Sequence, residues 1–236
     1  MQIPTSKTPV SKCLDLGAYS TRMLAKFPAN PDLAPLGAKM AAATQALSTA
    51  QTAYADAVKA ILPTRVDVKL ENFVSDRRIR LTQQKAEMAD GKRGGAFAAH
   101  AFPEGSASIV RLVGPSQVKA MSDLAGRLAS LAAVWPEATA ESQAITQFRD
   151  SYDAAIQGRD SAGQTATNLR AMRDVAKEAF LTAYAEITSR VAAEFPRDTV
   201  MQDLFFDDVR AQSAAAQADA PEAAPVAEGG ETPPTA

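Results

Sequence analysis

The residues that could catalyse a reaction or hold a metal ion are few in this chain. Among its 236 residues there is one histidine, His100, and one cysteine, Cys13. A zinc site needs a cluster of such ligands, and a di-iron bundle needs Glu-x-x-His motifs on two helices, so we predict no metal site. We expect Cys13 to be a small buried apolar residue.

His100 lies between Phe97 and Phe102 in a segment that fits no helical template. A lone histidine in such surroundings is typical of a packed or surface imidazole. The sequence leaves one enzyme hypothesis open, in which this segment forms an active site. Such a site would need carboxylates or other polar groups that converge on His100. The chain has no nucleophile elbow, kinase motif set or dinucleotide fingerprint. We therefore predict that it is not an enzyme, with no catalytic residue and no cofactor.

A basic run is the candidate surface for an anionic partner. Arg77, Arg78 and Arg80 lie close together on a predicted helix and are followed by Lys85, Lys92 and Arg93. Cations thus recur along the helix and could follow a nucleic-acid backbone. Asp76 and Glu87 are interspersed, and no aromatic residues are interleaved for base stacking. Such a run is more typical of a solvated helix face. The sequence thus disfavours nucleic-acid binding, which we keep as the alternative function.

The glycine-rich segment 91–95, Gly-Lys-Arg-Gly-Gly, extends the basic face from Arg77 to Arg93. It lacks the G-x-x-x-x-G-K-[ST] pattern and follows a helix rather than a strand. We interpret it as a helix terminator, because glycine adopts the left-handed backbone of a helix end.

Leu204, Phe205 and Phe206 form the most concentrated apolar patch, with three aspartates beside them between residues 203 and 208. These three residues are candidates for an interaction site as an exposed docking peptide. The other interpretation, which we favour, is that they fold back and cover the end of a helical bundle, because paired phenylalanines bury well.

An internal repeat organises the chain. Residues 62–73 and residues 169–180 both follow the pattern L-x-x-x-x-D-V-x-x-E-x-F. Each copy is preceded, at nearly the same distance, by an aromatic residue followed by proline, at residues 27–28 and 135–136. Self-similarity of this kind predicts one helical unit used twice.

The first long helix carries a heptad-like apolar spacing, which predicts packing along another helix. Pro63 then interrupts the helical pattern, so the helix either kinks there or turns back. The second copy has Arg170 in the corresponding place, which favours the kink. The predicted seam consists of Leu36, Met40, Ala43, Leu47, Ala50, Tyr54, Ala57 and Ile61.

The predicted fold is all-α, an elongated helical bundle with coiled-coil-like packing and two repeats of a short helix plus a long helix. The expected parts are a flexible arm (1–10), the first repeat (11–90), a non-helical connector (91–114), the second repeat (115–196), a short helix (197–210) and a disordered Ala/Pro/acidic tail (211–236).

Composition sets limits without naming a partner. A net charge of −2 gives no field that would attract nucleic acid or an acidic membrane, and no apolar window is long enough to span a bilayer. A single cysteine excludes an internal disulfide, so we expect a cytoplasmic protein. The predicted function is a non-enzymatic structural or protein-interaction (scaffold) protein, and its expected partner is another protein or a second copy of the chain.

Overall fold

The computed structural model describes residues 3–207, which contain seven α-helices and no β-strand. This establishes the all-α class. The helices are α1 (Val10–Leu24), α2 (Ala34–Ala89), α3 (Ala96–Ala101), α4 (Ala107–Val110), α5 (Pro115–Ser130), α6 (Ala138–Glu194) and α7 (Thr199–Leu204). The predicted tail 211–236, and the last residues of the predicted helix 197–210, lie outside the described residues.

Helix α2 passes through Pro63 without ending, so the alternative of a turn at this residue is wrong. Proline has no backbone N–H to donate to the carbonyl four residues earlier. Beside it, the Thr64 hydroxyl donates a hydrogen bond to the Ile61 carbonyl over 2.8 Å. The helix is continuous on both sides of the lost hydrogen bond.

The connector 91–114 was predicted to be non-helical, and this is corrected by α3 and α4, which both lie within it. The Asp90 carboxylate explains why α3 forms, because it accepts hydrogen bonds from the backbone N–H groups of Phe97 and Ala98, each over 3.0 Å. These are two of the donors that a helix start leaves without partners. Sequence reasoning missed this cap because Asp90 is separated from α3 by five residues.

The described residues form two compact units, residues 3–51 with 173–207 and residues 52–172. The predicted repeats 11–90 and 115–196 are therefore not the compact units. The reason is that α2 and α6 have 56 and 57 residues, and each long helix contributes to both units.

The first unit buries an apolar core that α1, α2, α6 and the segment around α7 build together. At Gly17 in α1 the neighbours are so close that an added Cβ would meet the Thr44 hydroxyl and the ring of Phe180. The core residues are Cys13, Leu16, Leu24, Leu33, Leu36, Met40, Leu47, Phe180, Tyr184, Ile187, Val191, Phe205 and Phe206.

The second unit has its own core, built from the last turns of α2, the helices α3 to α5 and the start of α6. Trp135, the only tryptophan of the chain, belongs to it and stacks on Phe97, with ring centroids 6.0 Å apart. The core residues are Ile79, Ala86, Ala98, Ala101, Phe102, Ile109, Met121, Leu124, Ala125, Leu128, Leu131, Trp135, Ala138 and Ile145.

The predicted seam of α2 is at least partly buried along its whole length. Leu36, Met40 and Leu47 are buried, and the other five seam residues are partly buried. The two copies of the repeated motif differ in their surroundings, since Phe73 is 56% exposed whereas its counterpart Phe180 is fully buried.

Candidate interaction surface

One face of α2 carries large apolar side chains in contact with solvent. Val58, Leu62, Val66, Leu70 and Phe73 are between 39% and 64% exposed. Steps of four, four, four and three residues place them within an arc of about 120° on a helix with 3.6 residues per turn. These five residues are called the α2 stripe.

The α2 stripe lies in the part of α2 between the two cores. No residue between 48 and 78 belongs to either core cluster. The stripe exposes on the order of 500 Å² in total, comparable with the largest apolar patch of a typical monomeric protein, a few hundred Å² that is often functional. Ile61, Thr64 and Val68, which are partly buried, lie on other sides of the helix. The stripe is therefore a distinct apolar surface and not the edge of a core.

Arg77 and Arg80 continue the α2 stripe toward the C-terminus of the helix. The guanidinium carbon of Arg77 lies 5.8 Å from the centre of the Phe73 ring, which is cation–π distance. Both arginines are exposed, and among residues 3–207 neither forms an ion pair with a carboxylate. The apolar face thus ends in two cations without an ion pair in the described residues, of which Arg80 interacts at longer range with the Asp76 carboxylate.

Arg78 has a different environment from its two neighbours. Its guanidinium donates to the Glu141 carboxylate, and its side chain is only 17% exposed. The same carboxylate accepts hydrogen bonds from Lys85 over 2.6 Å and from the hydroxyl of Thr82 over 2.9 Å. Arg78, Thr82 and Lys85 recur at steps of four and three along α2, so all three reach one point on α6. Arg78 and Lys85 therefore fix helix pairing within this unit.

The Glu141 carboxylate is charged in spite of its burial. Burial alone would raise the pKa of Glu141, but the hydrogen bonds from Lys85 and Thr82, together with the positive charges of Arg78 and Lys85, outweigh it and lower the pKa. Glu141 thus presents a full negative charge to its two cations at neutral pH.

Arg77, Arg78 and Arg80 also line a shallow groove of about 550 Å³. The Nε of Arg78 is buried there without a hydrogen-bond partner in the described part of the chain. The groove is lined by Val74, Arg77, Arg78, Arg80, Leu81, Gln84 and Phe148. Its walls combine cations with apolar side chains, which suits a partner that carries both carboxylates and apolar groups.

The patch Leu204, Phe205 and Phe206 is largely buried. Phe205 is fully buried and Phe206 is 7% exposed, while Leu204 at the end of α7 is 46% exposed. Phe205 packs against Phe27 and Phe195, with ring centroids 4.9 Å and 5.8 Å away. Both rings belong to the first unit's core, which agrees with the favoured interpretation that this segment folds back. Phe205 and Phe206 are therefore not available as a docking peptide, and only Leu204 remains exposed.

His100 is exposed on α3, and its Nε2 lies 2.9 Å from the hydroxyl of Ser130. That hydroxyl donates to the backbone carbonyl of Arg127 over 2.7 Å. Phe102 is buried in the second unit's core. The hydrogen-bond partner of His100 is thus a surface hydroxyl and not a carboxylate.

Residues 3–207 contain no group of three or more His, Cys, Asp or Glu side chains that could hold a metal ion. Cys13 is fully buried, and burial raises the pKa of its thiol, with a smaller opposing effect of the charge of Lys177. A thiol in this state is a poor nucleophile.

Comparison with known proteins finds no matching family model, no matching curated protein and no matching solved structure. Within residues 3–207, no helix combines the length and the apolar character needed to cross a bilayer.

Two features of this surface were not found from the sequence. The α2 stripe overlaps the first copy of the repeated motif, and its signal was the four-residue step from Val58 to Leu70. The predicted seam ends at Ile61, and the exposed apolar face that begins at Val58 was not distinguished from it. The role of Glu141 had no local signal, because 56 residues separate it from Lys85.

Proposed function

We propose that this chain is a non-enzymatic structural or protein-interaction protein that binds other proteins through the α2 stripe. The single observation that supports this proposal is the exposure of five large apolar side chains on one helix face. Exposed apolar surface of this size is typical of protein interfaces. The two cations at its end, Arg77 and Arg80, would form the polar rim that interfaces usually have.

The finer architecture belongs to the same proposal. We infer two repeats of a short helix plus a long helix, with coiled-coil-like packing of the long helices. The helix lengths support the repeat, since α1 and α2 have 15 and 56 residues and α5 and α6 have 16 and 57. The burial of the seam residues of α2 supports the packing. A cytoplasmic location, inferred from the single cysteine, completes the proposal.

The alternative function is nucleic-acid binding by the basic face from Arg77 to Arg93. The observation in its favour is that Arg77 and Arg80 are exposed without ion pairs in the described residues. Arg78 and Lys85 weigh against it, because Glu141 already neutralises both. This alternative requires binding that falls steeply with salt and with Arg77→Ala and Arg80→Ala.

Site-specific photo-crosslinking tests the proposed function. The photoreactive residue p-benzoylphenylalanine replaces Val66 in the full chain, produced in the cells that make the protein naturally. The matched control carries it at Val134, which is 63% exposed in the same unit but lies outside the α2 stripe. Illumination should give discrete protein adducts from position 66 and none of these from position 134.

Protein adducts of any mass at position 66 agree with an interaction protein. Nucleic-acid adducts that disappear with Arg77→Ala and Arg80→Ala would favour the alternative. The proposal is contradicted if position 66 gives no more adduct than position 134.

A further inference from the structure

We propose that the occupant of the α2 stripe is the α2 stripe of a second copy of this chain, paired antiparallel around a two-fold axis close to Val66. This inference rests on the proposed function and specifies its partner. The area of the stripe, the order of the charges along it and its spacing support this arrangement.

The area of the α2 stripe fits a dimer of standard size. Its five residues expose on the order of 500 Å², and a stable interface buries about 800 Å² on each partner. The remaining area is available on the same face, since Leu81 is 42% exposed and the long stem of Arg65 borders the stripe. Lys59 and Lys69 lie within the arc of the stripe itself, where their apolar stems add to the contact and their ammonium groups extend to the rim. A second copy therefore supplies a matching apolar strip of equal length.

The charges at the two ends of the α2 stripe favour the antiparallel direction. Asp56 lies just before the stripe, 64% exposed, and forms an exposed ion pair with Lys59, which contributes little. Arg77 and Arg80 lie just after it. An antiparallel pair brings Arg77 of one copy to the level of residues 54–55 of the other, within one turn of Asp56. A parallel pair would place the arginines of both copies side by side, and like charges at an interface are unfavourable.

The spacing of the α2 stripe is suited to this register. When Val58 faces Phe73 of the second copy, the midpoint falls beside Val66, and Leu62 faces the turn that contains Leu70. Each of the five apolar residues then lies within one turn of an apolar residue of the second copy. The two-fold axis makes each contact occur twice, as in most dimers of identical chains.

The oligomeric state is the first test. Size-exclusion chromatography with light scattering on the full chain should give twice the chain mass of 24.8 kDa. Val66→Glu should weaken dimerisation by about 100-fold or more, because two carboxylates would then meet at the axis. The matched control Val134→Glu, at an exposed valine outside the α2 stripe, should leave the dimer unchanged. Circular dichroism should show the same helix content in all three proteins.

Engineered cysteines test the direction of pairing. Wild-type Cys13 is fully buried, so the unmodified chain serves as the control without crosslinks. In an equal mixture of Val58→Cys and isotope-labelled Phe73→Cys chains, mild oxidation should link position 58 to position 73 of the other chain. Val58→Cys alone should not form a linked dimer.

The outcomes separate this inference from the proposed function. A monomer at all accessible concentrations, or a dimer that Val66→Glu leaves intact, overturns the inference. A linked dimer of Val58→Cys alone overturns the antiparallel arrangement. Photo-adducts at position 66 with masses other than twice the chain mass, found with a monomeric protein, would preserve the proposed function and identify a different partner as the occupant.

Discussion

Replacing Glu141 by glutamine should destabilise the second unit markedly. Glu141 is 3% exposed and accepts hydrogen bonds from three side chains of α2. The variant keeps one oxygen acceptor, but its amide group faces donors and its negative charge is gone. Arg78 and the fully buried Thr82 cannot regain water easily, whereas Lys85, 44% exposed, can.

The expected loss follows from these three partners. A hydrogen bond to a charged group contributes about 1.5–3 kcal/mol, and a buried group left without its partner costs about 1–3 kcal/mol more. Because Lys85 re-solvates and one acceptor remains, we expect a decrease of about 2–4 kcal/mol in the free energy of unfolding. The control Glu137→Gln, at an exposed carboxylate one turn earlier, should change stability by less than about 0.5 kcal/mol.

The fluorescence of Trp135 provides the assay, because the only tryptophan lies in the same unit's core as the start of α6. Urea denaturation followed at this residue reports the unit that contains Glu141. A change below about 0.5 kcal/mol for Glu141→Gln would refute the view that this carboxylate fixes α2 to α6.

The pH dependence of the same assay tests the charge of Glu141. Its pKa in the folded protein is lower than the ordinary value of 4.5. The stabilisation is therefore fully present above pH 4.5 and is lost as the pH falls through the lowered folded-state pKa. Glu141→Gln should lack this loss. Asp76, whose pKa is raised mainly by burial, titrates in both proteins, so the difference between them isolates Glu141. Identical pH profiles would contradict the assignment.

Three further substitutions test the packing and the helix ends. Gly17→Ala should destabilise the first unit by about 1–3 kcal/mol in urea denaturation followed by circular dichroism, because its Cβ would meet Thr44 and Phe180, and adding Thr44→Ala should recover part of the loss. Additive effects would contradict this contact. In Gly95→Ala the added Cβ would collide with the Asp90 side chain. Amide hydrogen exchange in α3 should become faster, with a loss of about 1–2 kcal/mol in local stability. Unchanged exchange would rule out the Asp90 cap. Pro63→Ala should raise the free energy of unfolding by about 2 kcal/mol. Proline costs about 3 kcal/mol inside a helix, and its restriction of the unfolded chain offsets about 1 kcal/mol of that cost. A loss of stability in thermal denaturation would show that Pro63 stabilises the native helix.

The helices could be predicted from the sequence because their signals are local. Apolar spacing, proline junctions and the glycines after Ala89 are patterns of a few residues, and they predict long helices with ends close to those observed. The connector was the local failure. A cap from Asp90 to α3 depends on how the intervening glycine turn folds, and no pattern in residues 96–101 reveals it.

The candidate site was only partly predictable. The sequence identified Arg77, Arg78 and Arg80 as one basic run, but it could not assign Arg78 to Glu141, which is 63 residues away. Exposure was equally inaccessible, because Phe73 and Phe180 occupy the same place in the repeated motif and only one of them is buried. Burial depends on which helices surround a residue, and a motif of 12 residues does not encode that.

Radical footprinting of the α2 stripe is the measurement that tests the central claim most directly. Hydroxyl-radical oxidation of Leu62, Leu70 and Phe73 is quantified by mass spectrometry in an extract of the native cells and in purified, highly diluted protein, with Val113 and Val134 as exposed internal references. If the stripe is a protein-binding surface, its oxidation should be several-fold lower in the extract while the references remain unchanged. Equal oxidation of the stripe in both samples would contradict the claim that other protein surfaces cover it.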